Sequence, residues 1–175
     1  MRMTPLMAVF AAALLARLFV NIFVMGMDDV GLERFPDGTD YDALALSLAG
    51  GAGYTIDQRP NTFRPPGYPI FLAAVYVLAG HSYVVVKALQ SLIGALTCLL
   101  IALIGERLFS KRTGMIAGAI AAVYPFLILY SGLLLSEIVF VFLSMVFLYL
   151  LLSLRGNWAW RGVALAGVLL GIMNL

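Results

Sequence analysis

The sequence predicts an all-α integral membrane protein. It reads as a multi-span helical bundle of about five spans, the last incomplete, with two interfacial helices in the first outer loop. Three observations predict this. Of 175 residues, 63% are hydrophobic and 11% charged, with a mean hydropathy of +1.01, whereas a soluble domain is nearer half apolar and a quarter charged. Several runs approach or reach the roughly 20 helical residues that cross a bilayer. They are continuously apolar rather than alternating as spanning strands do, so helices must satisfy the backbone within each segment.

The first span is expected at 5–25. The opening MRMTPLMAVFAAALL has the basic residue and apolar core of a secretory signal, but the run continues past Arg17 to Met25. An uncleaved helix with Pro5 in its tolerated first turn fits better. An outer loop follows at 26–82. Inside it, Thr39 with Asp42 three residues on approximates a capping box. Tyr41, Leu44, Ala45 and Leu48 then fall on one face of a short interfacial helix, 39–49, that Gly50-Gly51 would end. This places Asp40 at the first helical position. The second interfacial helix is expected at 67–80, where YPIFLAAVYVLAG is apolar but only 13 residues long, too short to span comfortably.

Further spans are expected at 83–106, 113–131, 137–154 and 162–175. Positive-inside counting sets their direction. If 67–80 lies in the interface, Arg2, Arg107, Lys111, Arg112, Arg155 and Arg161 share one side, while the outer loop holds three arginines against seven acids. If 67–80 spans, the basic residues split. The amino terminus is therefore expected in the cytoplasm, and the loop and Glu137 outside. No internal repeat is evident. The sequence stops inside an apolar run, GVALAGVLLGIMNL, which reads as the amino-terminal part of one transmembrane module, 1–175, of a longer protein.

One cysteine, Cys98, and one histidine, His81, exclude an intrachain disulfide and a thiolate or histidine-rich metal site; Cys98 reads as packing. The chemistry gathers in the outer loop. Asp37, Asp40 and Asp42 either cap and solubilise a helix, or one of them, Asp40 being best placed, serves as a base beside apolar walls. Arg64 precedes two prolines that leave its segment few conformers. It either snorkels to headgroups or presents its planar fork to a phosphate; Arg59 is a weaker version. Glu137 stands at the mouth of a span, where a carboxylate either caps its helix or faces a cavity. Arg17 and Asn21, one turn apart, are expected to face the bundle interior, and Arg17 and Lys87 to form ion pairs, with outer-loop carboxylates as partners.

The motifs DYDALA (40–45), GAGY (51–54), RPPGYP (64–69), YP (124–125) and LSE (135–137), in this order, resemble the GT-C superfamily of membrane glycosyltransferases. Within it they are similar to the glycosyltransferase family 39 type, the bacterial group related to protein O-mannosyltransferases and the aminoarabinose transferase of lipid A. The resemblance implies transfer of a sugar from a polyprenyl-phosphate donor to an acceptor hydroxyl, with inversion, on the extracytoplasmic face of the plasma membrane. It implies Asp40 and Glu137 as catalytic carboxylates, Arg64 and Arg59 at the donor phosphate, and Tyr41 and Tyr68 lining the substrate. Some members use a divalent cation (magnesium or manganese) and others none; Asp40 and Glu137 would be its ligands. Members are longer than this chain, so the fragment alone is expected to be inactive. No nucleic-acid partner is expected; sugar and acceptor are open. The alternatives are a noncatalytic membrane scaffold or assembly partner, and a transporter element, which the outside clustering of acids disfavours.

Overall fold

A computed structural model describes residues 4–26, 30–31, 35–153, 164, 167–168 and 171. The described chain is mostly helical. Helix α1, Thr4–Phe19, runs into a π-helical turn at Val20–Val24. Then come α2 (Pro36–Ala49), a two-strand hairpin of β1 (Thr55–Ile56) and β2 (Arg59–Pro60), and α3 (Gly67–Ala79). The longest helix, α4, covers Tyr83–Leu108; α5 (Lys111–Val123), α6 (Pro125–Leu129) and α7 (Glu137–Ser153) complete the order. Among the described residues two helical stretches are long and apolar enough to cross a membrane, Pro5–Val24 and Tyr83–Leu108, while Gly67–Ala79 and Glu137–Ser153 are apolar but shorter. The span expected at 162–175 lies almost wholly outside the described residues.

Helix α4 is the centre of the fold, packed by α1, α5 and α7, while α2 lies on α3. The α4–α5 crossing is close because it is built on glycines. A Cβ on Gly114 would run into the backbone of Ala102 and Glu106, and one on Gly105 would lie 2.8 Å from the Gly114 Cα. Small residues let two helix backbones approach in this way. Ser110 caps α5, its Oγ accepting from the Thr113 amide at 3.2 Å.

The run 113–131 is not one helix. It breaks at Tyr124, which is extended (φ −69°, ψ 119°), and restarts at Pro125. Proline lacks the amide that would continue the ladder, and its ring disfavours helical geometry at the preceding residue.

Two apolar clusters form the core. One joins Val9, Ala13, Ala95, Cys98, Ala121 and Ala122 in the bundle; the other joins α2, α3 and the start of α4 through Tyr41, Ala45, Tyr68, Leu72, Tyr76 and Val86. Fully buried polar side chains also occupy the interior. The Asn21 amide donates to Ser91 Oγ at 3.0 Å, and the Gln90 amide donates to the Leu133 carbonyl at 2.9 Å.

Arg17 and Asn21 face the interior as expected, both without exposed surface. Among the described residues Arg17 has no carboxylate partner, which corrects the expected ion pair there. Its guanidinium donates to the Ala13 carbonyl at 2.9 Å, the Ala122 carbonyl at 3.4 Å and Cys98 Sγ at 3.4 Å. The room for it comes from Gly94, whose Cβ would strike Arg17 Nε. Lys87 donates to the Gly26 carbonyl at 2.6 Å.

Large apolar side chains stay exposed along α1 and α5, among them Leu15, Phe19, Ile116, Ile120 and Val123. Such a surface fits a hydrocarbon environment and is uncommon on a soluble monomer.

Candidate functional site

Helix α2 begins three residues earlier than expected. Phe35 is the N-cap without a side-chain bond, and Pro36 takes the first helical position, where its fixed φ is suited to the helix and its missing amide costs nothing. Thr39 therefore lies within the helix rather than at its N-cap, and Asp40 lies a full turn inside. The shift brings Asp37 into the first turn, three residues before Asp40 and on the same face.

Both carboxylates meet Arg64. Its Nε donates to Asp40 Oδ2 at 2.9 Å, and its Nη2 lies 2.8 Å from the same oxygen and 2.6 Å from Asp37 Oδ1. Nη1 has no partner among the described residues. Burial lowers the Arg64 pKa, but the hydrogen bonds and charges of Asp40 and Asp37 outweigh it and raise the value overall.

The loop backbone is held to match. Asn61 Oδ1 accepts from the Arg64 amide at 2.9 Å and from Phe63 at 3.1 Å, and the Tyr54 hydroxyl donates to the Arg64 carbonyl at 2.9 Å. Thus Tyr54, the last residue of the GAGY motif, braces the arginine of RPPGYP. The Arg64 guanidinium carbon also lies 4.9 Å from the Phe63 ring centroid and 5.6 Å from that of Tyr41, within cation–π range.

Tyr41 leads inward. Its ring meets Tyr68 edge-on at 5.1 Å, and the Tyr68 hydroxyl donates to Gln90 Oε1 at 2.7 Å. Burial, then the negative charge of Glu137, raises the Tyr68 pKa well above the ordinary phenol value. Tyr41, Tyr68 and Glu137 line one cavity of about 490 Å³. Pro65, Gly67 and Ser136 also line it, and Ile70, Phe71, Val139, Phe140 and Leu143 of α3 and α7 make an apolar wall. The carboxylate of Glu137, the first residue of α7, makes no hydrogen bond among the described residues. Asp40 and Arg64 do not line the cavity. They flank it through their neighbours Tyr41 and Pro65, which do.

The structure thus brings Tyr41, Tyr68 and Glu137 to one cavity, while Asp40 and Arg64 pair with each other beside it. Arg59 is elsewhere: it is exposed on β2, paired with Ile56 across the hairpin, and is not among the cavity's lining residues.

The Asp40 carboxylate is engaged by Arg64, and no group of three or more His, Cys, Asp or Glu side chains that could hold an ion occurs among the described residues.

Two residues carry more than the sequence suggested. Asp37, read as a cap, is a full partner of Arg64; its three-residue spacing from Asp40 was the available signal. Asp42, read with it, is buried and accepts three hydrogen bonds, from the Tyr76 hydroxyl at 2.5 Å, His81 Nε2 at 3.0 Å and the Tyr83 hydroxyl at 2.9 Å.

Residues 63–175 match the family model described as dolichyl-phosphate-mannose-protein mannosyltransferase. The match includes Arg64, Tyr68 and Glu137 and starts after α2. Neither the curated proteins nor the solved structures yield a match.

Proposed function

The chain belongs to the dolichyl-phosphate-mannose-protein mannosyltransferase family, and from that premise we propose that it is an inverting glycosyltransferase. In this reading it moves a sugar from a polyprenyl-phosphate donor to an acceptor hydroxyl at the extracytoplasmic rim of the plasma membrane. The family is of glycosyltransferases of the mannosyl type; the donor, the inversion and the membrane side are our reading.

The observation that carries it is a cavity with an apolar flank, lined by Tyr41, Tyr68 and Glu137 and adjoined by the Asp40–Arg64 pair through its chain neighbours Tyr41 and Pro65. The donor has the complementary build, a charged phosphate and sugar on a long hydrocarbon tail. Arg64 is anchored through Nε and Nη2 and offers Nη1 to a phosphate oxygen, so the guanidinium is oriented before the donor arrives. The tail lies along Ile70, Phe71, Phe140 and Leu143.

The acceptor oxygen attacks the anomeric carbon from the side opposite the phosphate. The carbon–oxygen bond to phosphate breaks, and its electron pair leaves with the polyprenyl phosphate, whose charge Arg64 stabilises. Asp40 takes the hydroxyl proton as general base. Glu137 faces the same space as the second carboxylate and orients the acceptor.

Orientation follows from α4. Its amino-terminal end, at Tyr83, adjoins the Asp42 cluster beside the site. Its other end carries Arg107, next to Lys111 and Arg112. Twenty-six helical residues separate the two ends by roughly 39 Å, about a bilayer's width. We read the basic end as cytoplasmic, with the site outside and the amino terminus inside.

The test is transfer of labelled mannose from polyprenyl-phosphate mannose by the purified full-length membrane protein that carries this chain and by its Asp40→Asn, Glu137→Gln and Arg64→Ala variants. The reading expects each variant to lose most of the transfer. Undiminished transfer by all three would end it.

A further inference from the structure

Helix α2 is pinned on two faces. Toward the cavity, Asp37 and Asp40 hold Arg64. On the far face, two residues on from Asp40 and so about 200° around the helix, Asp42 is buried against the end of α3 and the start of α4. Its Oδ1 accepts from Tyr76 and His81 and its Oδ2 from Tyr83. The His81 ring is clasped edge-on by Tyr76 at 4.7 Å and Tyr83 at 4.8 Å. The facing carboxylate accepts only, so His81 presents its Nε2–H. Three donors from three positions on another part of the fold fix a single carboxylate and, through it, the rotation of α2 about its own axis.

That rotation decides where Asp40 and Tyr41 point. Asp40 is half-exposed and Asp37 more so, and an exposed ion pair alone is a weak constraint. The buried cluster on the opposite face is a stronger one.

We propose that Asp42 is a positioning residue: held by Tyr76, His81 and Tyr83, it sets the turn of α2 that keeps Asp40 and Tyr41 aimed at Arg64 and the cavity. Its catalytic consequence rests on the transferase reading; its geometric consequence does not. No substrate atom meets Asp42. It acts through the two residues before it.

The experiment therefore has two readouts on the same preparations. The first is the rate at which phenylglyoxal modifies Arg64, followed by mass spectrometry of its peptide, with exposed Arg112 as internal reference. The second is kcat and donor KM for transfer from polyprenyl-phosphate mannose. The variants are Asp42→Ala, Asp42→Asn and His81→Gln.

In Asp42→Ala the freed helix should loosen its grip on Arg64. Modification of Arg64 rises several-fold at unchanged Arg112 reactivity, and kcat falls on the order of 10- to 100-fold, the cost of a misplacement near 1 Å, with donor KM changed less than about threefold. Asp42→Asn, which still offers an oxygen to Tyr76, recovers most of kcat. His81→Gln, which removes one of three donors, falls between the two.

An Arg64 reactivity and a kcat that stay at the wild-type level in Asp42→Ala overturn the proposal while leaving the transferase reading intact. Should Asp42→Ala not fold, the same wild-type values in His81→Gln overturn it. A rise in Arg64 reactivity with no transfer by the wild type supports the positioning role and counts against the reading instead.

Discussion

Arg64 and Asp40 meet through two nitrogens and one oxygen, Nε at 2.9 Å and Nη2 at 2.8 Å from the same Oδ2. This forked contact leaves Nη1 as the outward end of the guanidinium. A planar group held by one edge points its other edge in a fixed direction, which a flexible ammonium does not. The orientation of Arg64 is therefore a property of the ion cluster, while its backbone is a property of the loop that Tyr54 and Asn61 brace.

The first prediction follows from the fork. Arg64→Lys keeps the charge but cannot hold two carboxylates and a phosphate together. Transfer should fall about tenfold in Arg64→Lys and on the order of 100-fold or more in Arg64→Ala. Steady-state kinetics with polyprenyl-phosphate mannose decides this; a lysine variant as active as wild type would remove the need for the fork.

Glu137 gives the cleanest separation of activity from stability. Its carboxylate makes no hydrogen bond among the described residues and faces the cavity. Glu137→Gln should leave unfolding stability within about 0.5 kcal/mol, as for a side chain with no structural partner, while transfer drops on the order of 100-fold. A thermal melt beside a transfer assay measures both. A large loss of stability would make Glu137 a structural residue.

Much of this arrangement was legible in the sequence, and what escaped has physical causes. The start of α4 at Tyr83, the start of α7 at Glu137 and the extent of α3 were plain because apolar runs there end at abrupt polar boundaries. The start of α2 was not. Thr39 with Asp42 has the spacing of a capping box, but Pro36 offers an earlier and sterically ready first turn. The break at Tyr124–Pro125 was hidden by hydropathy, which does not change across it, although the proline itself announced it. Arg17 was placed on the right face, but its partners are carbonyls and a thiol brought by tertiary packing. The same is true of Asp42, whose three donors lie 34 to 41 residues away. Contacts made by the fold as a whole leave no local pattern to read.

The α4–α5 crossing supplies a prediction about the scaffold. Gly114→Ala would drive a Cβ into the backbone of Ala102 and Glu106, and backbone cannot step aside as a flexible side chain does. The helices must separate, at a cost of about 1–3 kcal/mol for overpacking. Thermal unfolding in detergent should show a clear drop in midpoint. An unchanged midpoint would mean the helices are not in close contact there.

The last prediction concerns high pH. Burial first, then the hydrogen bond and charge of Asp42, raises the Tyr76 pKa far above its ordinary value of 10.0. Tyr68 is raised as well, by its own burial. In the unfolded chain both phenols ionise near 10, whereas in the folded protein they keep their protons. Above pH 10 the native state therefore binds more protons than the unfolded state, so stability is fully present below that value and declines as pH rises. Each such phenol adds about 1.4 kcal/mol per pH unit to the slope. Tyr76→Phe removes one of them: it should lower stability at neutral pH through the lost bond to Asp42, yet flatten the decline between pH 10 and 11 by about that amount. Denaturant unfolding of the two proteins from pH 8 to 11 measures both effects. Parallel declines would show that Tyr76 ionises as readily in the folded protein as in the open chain, and that Asp42 does not hold its proton in place.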